Sequence, residues 1–270
     1  MAGLKVSVSN AGAIARAAKP ALRATTGTAP TPNARAADTA PRDASNFARF
    51  QQDQMDGVNG DNACGTTSLS MLLNFWKNQP GAYTHDKIDP VIREWGTFTT
   101  PEQVVDYAQS QGLRAVARNN SSLSDLLGFV DKGVPVQVLI DPTGTGVDIY
   151  LHYVDVVGTV KDKQGKVRAL KIADPGNPAG SAPVTISLAD FEKQWGHLRY
   201  KSVDTGVNNL MIPMLPKADV PVKGPDGVVR QTKDIALPPA NNLGWRLAVV
   251  NWGANLKNDV AHLWRQLSAG

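Results

Sequence analysis

Residues 60–76 read GDNACGTTSLSMLLNFW and hold the only cysteine of a 270-residue chain. Leu69, Leu72, Leu73 and Trp76 recur at helical spacing, so the stretch is expected to form a buried helix with one apolar face, starting at Asp61, Asn62 or Cys64 itself. A thiol in the first turn of a helix meets unpaired backbone N–H groups and the positive end of the helix dipole. Both favour the thiolate, the form in which sulfur is a nucleophile. Gly65, with no side chain, is expected to let a substrate backbone approach that sulfur. A single cysteine forms no disulfide within the chain, so the thiol is either buried filler or a reagent.

Upstream, residues 1–46 have no aromatic residue and fourteen alanines, and they include the run TAPTPNARAADTAPRD. Such a segment cannot bury enough apolar surface to offset the entropy of ordering, and it is expected to be a disordered leader. It carries six basic residues against two acidic ones, while the remaining 22 basic and 22 acidic residues cancel. Basic character confined to a tail argues against a nucleic-acid-binding body, whose positive patch belongs on the folded part. No run approaches the roughly 18 apolar residues of a membrane span. Asn10, Arg16 and Lys19 interrupt the apolar core that a cleaved signal peptide requires. The expected location is therefore the cytoplasm, or outside the cell by a route without a cleaved signal.

Downstream, THDKIDPVIREWG reads as a polar connection and a helix fragment. TTPEQVVDYAQSQG reads as a helix with Thr100 as N-cap, Pro101 in the first turn, Gln103 completing the cap and Gly112 as stop. A helix in SSLSDLLGFVDKG precedes VPVQVLI, a continuous β-branched run of the kind found in central strands. HYVDVVGTV and KVRALKIADPG, joined by KDKQG, read as an antiparallel hairpin. TISLADFEKQWG is expected to be a helix and NNLMIPML a closing strand. Helices followed by antiparallel strands make an α+β domain, placed at 47–216. Residues 217–240, with four prolines, are expected to be a linker. Residues 241–270 are expected to be an amphipathic helix with Leu256, Val260, Leu263, Trp264 and Leu267 on one face, a stripe that packs on its own domain or on a protein partner.

A catalytic thiol needs a base that accepts its proton and later protonates the leaving group. His152 opens an apolar strand, rigidly held yet able to face a cleft. His85, His197 and His262 lie in settings that suit surface or packing roles. A third group must orient the imidazole and stabilise its charged form. Asp174 ends the strand paired with that of His152, whereas Asp155, three residues along from His152, faces the other side of the sheet. The negative charge that develops on an attacked carbonyl needs donors: the Cys64 backbone N–H and one side-chain amide. Gln54 is the candidate, with Gln51, Gln52, Asn59 and Asn62 as rivals.

The ordered set Gln54, Cys64-Gly65 at a helix start, SLSDLLGFVDKGVPVQVLI, His152 in HYVDVVG, Asp174 in IADPG and ADFEKQW resembles the papain-like cysteine peptidases. It is most similar to the branch that contains the leader-cleaving (double-glycine) domains of bacteriocin exporters and their stand-alone bacterial relatives. The resemblance spans about residues 50–216. It implies a papain-like fold with the cysteine on a helical lobe and histidine and aspartate on a strand lobe, a protein or peptide substrate, and no metal or other cofactor. The exporters' membrane and ATPase portions are missing from the match. The stretch between Gln54 and Cys64 is glycine-rich, which leaves the choice of oxyanion donor open.

Amide-bond hydrolysis through a thioester is the activity these residues suggest, in the setting of a bacterial effector or toxin delivered through its leader. The same groups serve a glutamine deamidase or an acyl transferase. A non-catalytic papain-like binding module, using the C-terminal helix as its contact surface, is the reading of a different class. A metalloenzyme is disfavoured by histidines without ligand spacing.

Overall fold

A computed structural model describes residues 40–57, 60–93, 98–144, 151–200 and 203–241. The leader up to residue 39 and the expected helix at 242–270 lie outside the described residues.

In chain order the elements are β1 (Arg42–Asp43), a 3-10 helix (Ala44–Phe50), a 3-10 turn (Gly60–Asn62), α1 (Cys64–Lys77), α2 (His85–Ile92), α3 (Pro101–Ser110), β2 (Leu113–Ala115), α4 (Leu123–Val130), β3 (Val136–Ile140), β4 (His152–Lys161), β5 (Val167–Ala173), β6 (Val184–Ser187), α5 (Leu188–Trp195), β7 (His197–Tyr200), β8 (Val203–Asn208), β9 (Met211–Pro216), β10 (Pro221–Lys223), β11 (Val229–Gln231) and a 3-10 turn (Thr232–Asp234). The main sheet is antiparallel throughout, in the order β2-β9-β3-β4-β5-β6. The class is α+β, as the order of patterns indicates.

The first helix begins at Cys64, after Ala63 in the N-cap position with no side-chain cap. It is buried all round rather than along one face. Every residue from Cys64 to Trp76 is buried, and most of the polar side chains are hydrogen-bonded, Thr67 Oγ1 and Trp76 Nε1 being the exceptions. Ser68 donates to the Tyr153 carbonyl at 3.2 Å, Ser70 to the Thr67 carbonyl at 2.7 Å, and Asn74 exchanges bonds with the backbone of Tyr83 at 2.8 and 3.0 Å. Thus α1 lies against β4 on one side. On another, Phe75 and Trp76 join Phe47 and Phe50 in an edge-to-face cluster.

The caps follow the sequence closely. Thr100 and Gln103 form a capping box on α3, and Ser122 and Asp125 form another on α4. Gly112 follows α3 with φ of +85°, a conformation that favours glycine. The β4–β5 hairpin turns on Asp162, whose Oδ1 accepts from Gln164 and Lys166 at 3.0 and 2.9 Å.

Two boundaries need correction. Residues 217–240 are not a linker: β10 pairs antiparallel with β11 and parallel with β1, forming a three-stranded sheet. Val222 is buried, and Arg42, at the end of the expected leader, is buried with Nε donating to the Trp76 carbonyl at 3.0 Å. Ordered chain therefore begins before residue 47 and continues to Asn241, whose amide exchanges bonds with the backbone of Asn119 at 2.7 Å. The prolines misled because Pro221 is the first residue of β10, the middle strand of that sheet, a position where a strand tolerates the missing N–H. The stretch TISLADFEKQWG splits into strand β6 and helix α5, with Ser187 capping Asp190.

Candidate active site

Each candidate residue is positioned by a different element. Cys64 is the first residue of α1, so the N–H groups of that turn have no helical acceptor. His152 is the first residue of β4. Asp155 pairs with Ala173 across the hairpin; one more step of that register puts Asp174 opposite Val154, diagonal to His152 on the same face and within reach of a long side chain. The outcome is a hydrogen bond between His152 Nε2 and Asp174 Oδ1 of 2.7 Å. Nδ1 is left for the thiol, to which the imidazole is electrostatically coupled.

Charges couple these groups. Burial alone would push the Cys64 thiol up; the hydrogen bond and charge of His152, the Tyr153 backbone N–H and the charge of Arg93 outweigh it and hold the thiol below its ordinary value. Burial works against the His152 cation too, yet the hydrogen bonds and charges of Asp174 and Cys64 push the imidazole up to about 10. Asp174 is opposed by burial and held below the usual carboxylate range by the hydrogen bond and charge of His152 and by the Gly176 N–H at 2.7 Å. Cysteine down and histidine up are the directions that favour a thiolate–imidazolium pair, and two groups so coupled titrate as a unit. The His152 and Asp174 side chains are 16% and 31% exposed, so the pair opens to solvent on the Asp174 side.

The amide candidates separate. Gln51 is a clamp: its Nε2 donates to the Asp174 carbonyl at 2.7 Å and to the Gln52 carbonyl at 3.0 Å, while its own carbonyl accepts from Gly180 at 3.1 Å. Gln52 spans Tyr83 and Ser70 inside the helical lobe. Gln54 runs beside the aspartate loop, its backbone N–H donating to Pro175 at 2.8 Å; its Nε2 donates to the Gly60 carbonyl at 3.1 Å, and its Oε1 is buried without a partner. Asn62 ends the 3-10 turn, and Asn59 lies outside the described residues. The other histidines stand apart from this cluster in sequence: His85 is buried at the start of α2 beside Asp86, His197 opens β7, and His262 lies outside the described residues. Among the described residues no group of three or more His, Cys, Asp and Glu side chains could hold a metal ion.

Gly65 serves a different purpose from the one its sequence position suggests. A Cβ there would stand 2.8 Å from Thr99 Cβ and 3.0 Å from Tyr153 Cδ2, so its missing side chain lets α1 dock on β4 rather than making room for a substrate.

The model of the Peptidase_C39 like family matches residues 45–203, more than half of the chain. The chain belongs to the Peptidase_C39 like family. It is accordingly a cysteine peptidase with a papain-like α+β fold. Among solved structures, the chain is similar to the peptidase domain of ComA from Streptococcus, a bifunctional ABC transporter involved in quorum sensing (18% identity over 62% of this chain and 97% of that one, TM-score 0.43). It is also similar to a C39-like peptidase from Bacillus anthracis (16% identity, 62% and 94%, TM-score 0.42). A third is a double-glycine-motif protease of an AMS/PCAT transporter, solved with its leader peptide (16% identity, 61% and 89%, TM-score 0.39). No curated protein matches. In this member of the Peptidase_C39 like family, no helix among the described residues is long and apolar enough to cross a membrane.

Two contributors escaped the sequence, and a third was seen without its role. Tyr153 acts through its backbone N–H, which no side-chain pattern reveals. Arg93 sits at the end of α2, paired with Asp89 at 2.9 Å, and its influence on Cys64 depends on tertiary packing. Gln51 was visible as an amide near the site, but only the structure separates a clamp on a carbonyl from an oxyanion donor.

Proposed function

We propose that the protein hydrolyses an amide bond in a protein or peptide chain, with Cys64 as nucleophile, His152 as general base and acid, Asp174 orienting the imidazole, and the Cys64 N–H and Gln54 amide as oxyanion donors. The observation that carries this reading is the 2.7 Å bond from His152 Nε2 to Asp174 Oδ1 in an imidazole that also holds the Cys64 thiol. The Cys64 thiolate attacks the carbonyl carbon, and the negative charge moves to its oxygen, which the Cys64 N–H receives. Gln54 Nε2 has one bond, to Gly60, and its second hydrogen is the one this reading directs at the oxyanion. The His152 imidazolium gives its proton to the departing amine, leaving a thioester on Cys64 and a neutral imidazole. That imidazole takes a proton from water as the water's oxygen attacks the thioester; a carboxylic acid leaves and the thiolate–imidazolium pair is restored.

Mass spectrometry of a proteome or of candidate leader peptides, exposed to wild type and to Cys64→Ala, tests the reaction. New termini that depend on Cys64 support hydrolysis. Glutamate in place of glutamine, or new isopeptide links, would replace it with deamidation or acyl transfer, which use the same three side chains. The wider setting in this reading is a bacterial effector or toxin, supported by the composition of residues 1–46 alone. The absence of any Cys64-dependent product in a target-cell proteome would count against it.

A further inference from the structure

Asp155 is a buried carboxyl that the reaction above leaves unused. It lies in the middle of β4, fully buried, and neither of its oxygens has a hydrogen-bond partner. A carboxylate in that state would carry an uncompensated buried charge, so the group must be neutral, and a neutral carboxyl has a proton to donate. Burial is the cause that pushes Asp155 well above the usual carboxylate range, with no charged partner involved. Its neighbours across the sheet are Ala173 on β5 and Gln137 on β3, with Ile212 beyond Gln137 on β9, none of them charged.

Gln137 is the complementary oddity. It is directly opposite Asp155, fully buried, and its Oε1 has no partner, while its Nε2 donates to the Gly65 carbonyl at 3.0 Å. Directly opposed residues of an antiparallel pair share a face, with Cβ atoms about 5 Å apart. With Gln137 Nε2 held on Gly65, Oε1 is fixed, and a protonated Asp155 is the directly opposed side chain that has a donor to offer it. We propose that Asp155 is a neutral acid donating its proton to Gln137 Oε1, and that the two are positioning residues which lock the Gly65 carbonyl, and with it the first turn of α1, onto the sheet. The consequence is placement of Cys64, one residue before Gly65, against His152. This inference rests on the reading of Cys64 and His152 as a reactive pair, but its protonation claim stands independently.

The test compares Asp155→Asn, Asp155→Val and Gln137→Leu with wild type, each first shown to be folded by circular dichroism and thermal melting. Asparagine keeps a donor for Gln137 Oε1, so Asp155→Asn is expected to retain the wild-type pH dependence of Cys64 alkylation. Asp155→Val and Gln137→Leu are expected to shift its midpoint upward and slow labelling at neutral pH. Denaturant unfolding supplies the second readout. Because the folded state alone keeps the Asp155 proton, the folding constant of wild type should fall relative to Asp155→Asn by about tenfold per pH unit as pH rises from about 4 towards 7. If Asp155→Asn is as damaging as valine, or if the pH dependence of stability is the same for wild type and Asp155→Asn, the neutral-acid assignment is wrong. Valine and leucine variants with unchanged alkylation would overturn the positioning role. An ordinary thiol in wild type would refute the reactive pair and leave the unfolding comparison to decide the protonation state.

Discussion

Adding one methyl group at Gly65 tests how the nucleophile is seated. The new Cβ would lie 2.8 Å from Thr99 Cβ, 3.1 Å from Thr99 Oγ1 and 3.0 Å from Tyr153 Cδ2. Carbon atoms pack favourably at about 3.5–4 Å, so the overlap is about 0.5–1 Å on two sides. Neither neighbour can yield cheaply, since Thr99 is buried at 6% exposure and Tyr153 at 4%. Overpacking of this kind costs about 1–3 kcal/mol. With Thr99 Cβ next to the backbone on one side and a buried Tyr153 ring on the other the upper half of that range applies, and the helix preference of alanine over glycine returns about 1 kcal/mol. The net loss for Gly65→Ala is about 1–2 kcal/mol, which lowers the melting temperature of a domain of this size by about 2–8 °C. Gly128 on α4 is the control, because a Cβ there meets nothing within 4 Å. Gly128→Ala is expected to raise stability by about 0.5–1 kcal/mol. Thermal melts of the two variants, with Cys64 alkylation rates at neutral pH, make the assay, and Gly65→Ala should also label more slowly as α1 shifts away from β4. A stabilised Gly65→Ala that labels like wild type would refute the packing argument and restore the idea that the glycine serves substrate access.

Further outcomes follow from the same geometry. Gln54→Ala is expected to lower kcat by about 100-fold or more with little change in KM, as loss of an oxyanion donor does, measured on the peptide found by mass spectrometry. kcat/KM should hold through neutral pH and fall as pH rises through about 10, where His152 loses its proton. Because the hydrogen bond and charge of Asp174 help to raise that value, Asp174→Asn should bring the alkaline limb to lower pH. A chain ending at Pro216 loses β10 and β11 and uncovers buried Arg42; it is expected to be insoluble or to melt far below the full chain, whereas a true linker could be removed without penalty.

The sequence carried the site better than it carried the edges of the fold. Cys64 at a helix start, His152 at a strand start and Asp174 at the end of the paired strand were legible because each sits at an element boundary with its own local signal. The hairpin turn at Asp162 fixes the register that joins the last two. The capping box at Thr100 was equally local. What escaped depends on long-range packing. The Leu69, Leu72, Leu73 and Trp76 stripe described one face of α1, but Ser68, Ser70 and Asn74 are buried as well because carbonyls and amides distant in sequence satisfy them. Residues 217–240 read as a linker because strands of three residues give too short an alternation to outweigh four prolines, and their partner β1 lies about 180 residues away, beyond any local pattern. Gln51 and Gln54 share composition and neighbourhood; what separates them is which carbonyl each amide meets.

The most direct measurement is the rate of iodoacetamide alkylation of Cys64 against pH, in folded wild type and in His152→Ala. The thiolate–imidazolium pair predicts a wild-type midpoint well below the ordinary thiol value of about 8.5 and, once the imidazole is removed, a midpoint at or above that value because burial then acts unopposed. A wild-type midpoint at the ordinary value, or one that His152→Ala leaves where it was, would contradict the account.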